Sequence, residues 1–272
     1  MRISAVVTDL DGTFWGTDMV VHQATLEAVA AIDAAGIPFL VATGRRAQSA
    51  RMGLRRAGLD DRPGVLMNGA LARDRIDGDS FLVEPIGHDD ALAVWDAFRR
   101  VDLDPLVYVD HPHTDMLHSD RPSAGETYLR TAPGIAQSND LEAALEVETV
   151  IGFGAFGYPK NVLEPIADSI NDDGSATALL ARSLLEGDHG IMIQGAGIDK
   201  QTGIEAWCTR HAIAVDGLAV VGDGSNDRLM LESAAMAIVP HNADPEIVAI
   251  ATHHIEPNEA GGWSDIPAML GL

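Results

Sequence analysis

The chain has 272 residues, 46% of them apolar, and a formal charge of −23 from 18 Lys and Arg against 41 Asp and Glu. That length admits one large or two ordinary domains with a real core, while the acidic balance disfavours nucleic acid and anionic membrane as partners. A single cysteine, Cys208, excludes an intrachain disulfide, and no apolar run approaches the roughly 18 residues a transmembrane helix needs.

Residues 3–7 form a mainly apolar run, broken only by Ser4, and read as a buried strand that leads through Thr8 into Asp9-Leu10-Asp11-Gly12-Thr13. Nothing ahead of it has the length of a secretory leader, so a cytoplasmic protein is expected. Open α/β sheets form ligand sites at the carboxyl ends of strands. Two acids there can hold a hard cation, attack an electrophile, or do both. Asp-x-Asp-Gly also simply makes a turn. A helix is predicted over 22–35, with Leu26, Val29 and Ala30 on its inner face and Gly36 as its stop. Strand 37–42 then leads into Thr43-Gly44-Arg45, and helix 47–57 ends at Gly58. A short strand over 65–67 meets Asn68-Gly69, by itself a hairpin signal. Strands alternating with helices predict a parallel sheet with right-handed crossovers.

The pattern changes near residues 74–85 and stays changed to about 187. A helix is predicted over 89–100, strands over 106–109, 116–118 (pairing back as a hairpin), 147–156 and 177–182, and a helix over 161–170. The alternation supports a small α+β unit. Within it, Asp110-His111-Pro112-His113-Thr114-Asp115 with His118 reads as a polar surface loop, with a second metal site or sugar contacts as the other reading. Core sequence resumes near 191–193. Lys200 follows, then helix 202–211 with Cys208 packed inside, and strand 218–221 leading into Gly222-Asp223-Gly224-Ser225-Asn226-Asp227. Helix 227–234, strand 236–239 and a helix opened by Asp244-Pro245 complete the run, with His253-His254 as a strand-end pair. The expected fold is α/β, a Rossmann-like parallel-sheet core of 1–83 and 189–272 holding an inserted α+β unit of 84–188. The glycines do not make a dinucleotide site, because Asp227 stands where G-x-G-x-x-G needs glycine. No Walker pattern occurs.

Taken in order, Asp9-x-Asp11, Thr43, Lys200 and Gly222-Asp223-x-x-Asn226-Asp227 resemble the four motifs of the haloacid dehalogenase-like phosphohydrolase superfamily. Thr43-Gly44-Arg45, Met67-Asn68-Gly69-Ala70 and Gly222–Asp227 resemble its Cof-type branch, which carries a large α/β cap of the C2B type between the second and third motifs. The resemblance spans residue 3 to about 263, and four motifs agree in order, type and context. It implies that 84–188 is a cap that chooses the substrate, and that Asn68-Gly69 is a strand-end loop rather than a hairpin.

The resemblance also implies chemistry. A phosphomonoester dianion repels nucleophiles until its charge is neutralised. Asp9 would be the nucleophile that forms an aspartyl-phosphate. Asp11 would protonate the leaving oxygen and later take a proton from water. Mg²⁺ would sit on the Asp9 carboxylate, the Asp11 backbone carbonyl and Asp223, with Asp227 behind them holding metal-bound water. The Thr43 hydroxyl, the Gly44 N–H and the Asn226 amide would bind the phosphoryl group or substrate, and Lys200 would stabilise its charge. Each residue alone has a plainer use. Thr43 can cap the following helix, Ser225 and Asn226 can cap 227–234, and a lysine is usually solvated.

Phe14-Trp15 departs from the small or aliphatic residues expected after the first motif, where Trp15 would pack in the flap against the cap or shape substrate entry, and Asp199 stands beside Lys200, where it can weaken or orient it. The expected activity is Mg²⁺-dependent hydrolysis of a small phosphorylated metabolite such as a sugar phosphate. Its rivals are a phosphomutase, which returns the phosphoryl group to the substrate, and a non-catalytic metabolite binder. A binder has no need of Asp11 as a proton shuttle.

Overall fold

In the computed structural model, which describes residues 3–111, 113–182 and 188–272, the first apolar run forms strand β1 (Ala5–Thr8). There follow α1 (Gln23–Ala34), β2 (Phe39–Ala42), α2 (Ala47–Arg56), β3 (Gly64–Leu66), β4 (Leu71–Arg73) and β5 (Ser80–Val83). The middle of the chain gives α3 (His88–Arg99), β6 (Leu106–Val109), β7 (Met116–His118), α4 (Glu126–Thr131), β8 (Ile135–Gln137), α5 (Leu141–Leu145), β9 (Val150–Tyr158), α6 (Lys160–Asp173), β10 (Ala176–Arg182) and β11 (His189–Gly195). The last stretch forms α7 (Lys200–His211), β12 (Leu218–Val221), α8 (Arg228–Glu232), β13 (Met236–Pro240), α9 (Pro245–Val248), β14 (His253–Ile255) and α10 (Ile266–Leu270). The chain divides into two units, one of Met1–Arg45, Ala50–Leu82 and Asp199–Leu272, the other of Arg46–Ser49 and Val83–Ile198.

The first unit is built on a sheet of order β14-β13-β12-β1-β2-β3-β4-β5. Its strands run parallel from β14 to β3, and β4 turns back antiparallel. Strands β1, β2 and β12 are buried at every residue, as a sheet covered on both faces requires, and so they read as unbroken apolar runs. Val7, Leu40, Val65, Leu218 and Val220 pack on one side with Ile204, Trp207 and Cys208 of α7. Fully burying one such Val or Leu contributes about 1.5–3 kcal/mol, which is what secures strands only three to five residues long. Helix α1 buries Thr25, Ala28, Val29 and Ile32. This i, i+3, i+4, i+7 stripe is turned from the predicted one; Leu26 is only half-buried and Ala30 is exposed, because the inner face is set by Ile32, at 0% exposure.

Strand β3 joins β4 through Met67–Gly69, with Leu66 opposite Leu71. Asn68-Gly69 is therefore the hairpin its sequence suggests, against the strand-end loop implied by family pattern. Asn68 and Gly69, the two central residues of the turn closed by Ala70 N–H to the Met67 carbonyl, take positive φ (51° and 104°), the left-handed backbone such a tight reversal needs.

The second unit has a six-stranded sheet of order β10-β11-β9-β6-β7-β8, antiparallel except for β7 and β8. Val107, Val109, Phe153, Ala155, Ile191 and Ile193 line one face against α3 and α6. Here the sequence boundary needs correction. The predicted return to the core near 191–193 is strand β11, which pairs with β10 and β9, so the inserted unit runs to Ile198 rather than ending at 188. An apolar run announces a buried strand but not the sheet it joins. The link from β10 to β11 includes 183–187, outside the described residues. Helices α4 and α5 and strand β8 leave no periodic trace in the sequence, since they are three to six residues long and α4 buries nothing.

The His-rich stretch is a local polar turn. His111 Nδ1 accepts the His113 and Thr114 N–H groups at 3.3 and 3.4 Å, and His118 Nδ1 lies 2.6 Å from the Ser119 carbonyl. Asp115 is paired with Arg46 and accepts the Gln48 N–H. Pro112 of this stretch lies outside the described residues.

Candidate active site

β1 ends at Thr8, and the strand's carboxyl end delivers Asp9. The Asp9 N–H donates to the Val221 carbonyl at 2.8 Å, which ties the first motif to the end of β12. Behind it, Trp263 Nε1 donates to Thr8 Oγ1 (3.0 Å), whose hydroxyl donates to the Asp9 carbonyl (2.8 Å). The backbone of Asp9 is thus held from two sides. The chain then turns at Gly12, whose φ is +83° and where any Cβ would overlap the Asp223 carboxylate. Only glycine satisfies both demands. Thr13 Oγ1 donates to Asp223 Oδ1 at 2.5 Å, so the turn also orients the acid of the fourth motif.

Lys200 lies at the first position of α7. Asp199 caps that helix by accepting the Thr202 N–H, and Thr202 answers in a capping box. This starts the helix two residues before the predicted 202 and settles the question of Asp199, whose carboxylate is given to the cap. Gly69 presses on the same point, since a Cβ there would overlap the Asp199 carbonyl. Lys200 is 1% exposed rather than solvated, and its Nζ donates to Asp9 Oδ1 and to Asp227 Oδ1, both at 2.6 Å. Burial alone would pull its pKa down. Asp227 and Asp9 outweigh that and hold it above its ordinary value, so Lys200 is a cation.

Asp227 is fully engaged. One oxygen takes Lys200, and the other accepts the Asp223 and Gly224 N–H groups at 2.9 and 3.0 Å. The helix expected over 227–234 is thus preceded by a turn at Ser225–Asp227. Neither Ser225 nor Asn226 caps it; Asn226 Nδ2 instead donates to Asn68 Oδ1 at 3.0 Å. Thr43 Oγ1 accepts the Arg45 N–H at 3.1 Å and so shapes its own loop instead of capping α2, which begins at Ala47. The loop is laced to the hairpin: Asn68 N–H donates to the Thr43 carbonyl and Met67 N–H to the Arg45 carbonyl. At Gly44 a Cβ would crowd the Asn68 amide at 2.9 Å.

Three acids, Asp9, Asp223 and Asp227, offer ligand atoms all within 4.8 Å of one another. The crowding is costly. Burial first pushes the Asp9 carboxyl up from its ordinary value, opposed by Lys200 and reinforced by Asp227, Asp223 and Asp11. Asp223 is pushed up to about 6, by burial and then by Asp227, against the pull of Thr13 and Lys200. One lysine does not neutralise this cluster. Hard carboxylate oxygens with excess negative charge fit a divalent cation of the Mg²⁺ kind. Asp227 is already spent on Lys200 and the backbone, which leaves Asp9 and Asp223 as the carboxylates best able to ligate it. The Asp11 side chain stands outside the cluster, a quarter exposed. It is gripped by Arg45, through Nε to Oδ2 at 2.6 Å and Nη2 to Oδ1 at 2.7 Å, and by Trp15 Nε1 at 3.0 Å. Arg45, Asn68 and Thr13 are the site residues that motif reasoning leaves without a role, although all three stand inside quoted motifs. Trp15, expected in the flap or at the substrate entry, is instead aimed at Asp11.

A family model described as haloacid dehalogenase-like hydrolase matches residues 6–266. A phosphoglycolate phosphatase of Methanopyrus kandleri is 25% identical over 248 residues, 91% of this chain and 88% of its own. Among solved structures, a haloacid dehalogenase-like hydrolase from Bacteroides thetaiotaomicron superimposes with a TM-score of 0.82 at 16% identity, covering 99% of this chain and 100% of that one. A sugar phosphatase of HAD subclass IIB gives 0.77 at 21% identity, covering 98% and 99%. At such identities the structures establish the fold.

Proposed function

This chain belongs to the haloacid dehalogenase-like hydrolase family, and on that premise we propose that it is a Mg²⁺-dependent phosphatase that hydrolyses a small phosphomonoester through an aspartyl-phosphate on Asp9. The observation that carries this reading is Lys200 Nζ set 2.6 Å from both Asp9 and Asp227, with Asp223 in the same buried cluster. A buried lysine that fixes one carboxylate oxygen leaves the other to attack.

Asp9 attacks phosphorus, and the ester P–O bond breaks. Asp11 gives its proton to the departing oxygen. Water then attacks the phosphorus of the aspartyl-phosphate, Asp11 takes a proton back, and inorganic phosphate leaves with Asp9 restored. The Thr43 oxygen already accepts the Arg45 N–H, so its own hydrogen is left to donate to a phosphoryl oxygen, beside the Gly44 N–H and the second hydrogen of the Asn226 amide. Lys200 places a positive charge where negative charge gathers in the transition state. When bound, Mg²⁺ supplies further positive charge against the dianion; Asp9, Asp223 and the Asp11 carbonyl would hold it, with Asp227 fixing the loop of Asp223.

The named activities of the relatives, a phosphoglycolate phosphatase and a sugar phosphatase, support a small phosphorylated metabolite as substrate. Substrate choice is assigned to the inserted unit. No helix among the described residues is long and apolar enough to cross a membrane, and a lone buried thiol suits the reducing cytoplasm. The test is phosphate release from a panel of sugar phosphates, short phosphorylated acids and nucleotides, with Mg²⁺ and with EDTA. Release from a narrow group only with Mg²⁺ is expected; no release from any ester would reject the reading.

A further inference from the structure

The loop after β1 uses its two aromatic residues differently. Phe14 packs edge-on to Trp263, ring centroids 5.3 Å apart, an apolar contact. Trp15 is as deeply buried, at 1% exposure, yet its indole N–H is aimed at the proton-carrying acid, donating to Asp11 Oδ1 at 3.0 Å. The fold does not oblige a buried indole to find a partner. Among the described residues, Trp207 Nε1 is buried with none.

The same carboxylate takes the two-pronged grip of Arg45, and the guanidinium carbon stands 5.6 Å from the Trp15 ring centroid, close enough for the ring to support the cation. Trp15 is itself fixed. Its carbonyl accepts the Gly12 N–H at 2.9 Å and its N–H donates to the Leu10 carbonyl at 3.0 Å. At Gly53 a Cβ would come within 2.7 Å of the far edge of the ring, so the absent side chain of α2 makes the ring's seat. The terminal torsion of an aspartate is otherwise broad. Three hydrogen bonds from two rigid planar groups select one orientation.

We propose that Trp15 is a positioning residue: with Arg45 it sets the direction of the Asp11 carboxyl for proton transfer at the ester oxygen. This rests on the phosphatase reading above. The experiment compares kcat/KM for an alkyl phosphate that the enzyme hydrolyses with kcat/KM for p-nitrophenyl phosphate. That ratio reports steps up to release of the alcohol. An alkoxide needs the proton of Asp11 as the P–O bond breaks, whereas nitrophenolate leaves without it. Trp15→Phe keeps the ring and deletes the N–H. We expect it to lower kcat/KM about tenfold on the alkyl ester, a fraction of what general acid catalysis supplies, and less than about twofold on the aryl ester, the scale of a lost packing detail. Arg45→Lys, which keeps the charge but gives up the two-pronged geometry, is expected to show the same selective loss and covers a Trp15 variant that folds poorly. The inference is overturned if a folded Trp15→Phe, or Arg45→Lys where the Trp15 variant does not fold, leaves the ratio between the two esters at the wild-type value while the wild type hydrolyses both. A wild type that hydrolyses neither ester with Mg²⁺ present overturns the phosphatase reading, and this inference with it.

Discussion

Replacing Lys200 by methionine removes the one ammonium that stands between Asp9 and Asp227 and leaves its volume filled. Both contacts are 2.6 Å and the lysine is 1% exposed, so water does not take its place. Deleting one partner of a buried ion pair costs about 3–5 kcal/mol. In a chain of this size 1 kcal/mol moves the thermal midpoint by roughly 2–4 °C, so Lys200→Met is expected to melt roughly 6–20 °C below the wild type in EDTA. Asp227→Asn in the same chain removes one of the two stranded carboxylates, and the double variant should recover about 1–3 kcal/mol relative to additivity. Mg²⁺ should raise the midpoint of Lys200→Met more than that of the wild type, because the added cation returns charge to a cluster that has lost its own. The assay is thermal unfolding followed by circular dichroism, with and without metal. A midpoint equal to the wild type's in EDTA would refute the argument that this lysine neutralises the cluster.

On activity, Lys200→Met should lower kcat by about 10²–10³, the scale of one lost electrostatic stabiliser; an effect on KM alone would assign it uniform binding. Asp9→Asn should abolish phosphate release with its circular dichroism spectrum unchanged, and activity at the wild-type level would reject Asp9 as nucleophile. Asp223→Asn should shift the Mg²⁺ activation curve to higher concentration, and an unmoved curve would remove Asp223 from the metal site. Gly69→Ala, at φ +104° and against the Asp199 carbonyl, should lose about 1–3 kcal/mol of stability in urea from backbone strain and overlap. A variant of undiminished stability would show that the hairpin is not seated on the start of α7.

Much of the site was legible because its residues follow apolar runs. Asp9, Thr43 and Asp223 each stand just past a strand, and the strand ends of a parallel sheet converge, so separate motifs pointed to one place. Lys200 needed the family pattern, since by type it is a surface residue. What stayed hidden was direction. That Asp227 would give both oxygens to Lys200 and the backbone, or that the Trp15 indole would turn to Asp11, depends on side-chain orientation, which spacing does not encode. The same holds for pairing. Residues 191–193 were visible as a buried strand, but their partners in β9 and β10 are chosen by register. Asn68-Gly69 shows the opposite case, where local turn chemistry was the better guide and the broader pattern misdirected it.

The insertion of one unit within the other bears on the order in which this protein acquires its structure. Strand β1, which carries the nucleophile, is paired with β2 on one side and with β12 on the other, Ala5 facing Leu218. β1 and β2 are synthesised close together, but β12 arrives only after the whole of Val83–Ile198 has been made. That segment has its own apolar core and the means to collapse as it emerges. Folded, it acts as a short tether. Loop closure then costs less than it would for a flexible chain of the same length, although the saving is modest at about 0.6 kcal/mol per halving. The sheet that aligns Asp9 with Asp223 is thus completed late, by its most distant contact. Amide exchange during refolding should find the β1–β12 pairing protected after the pairings of β9 with β6 and β11.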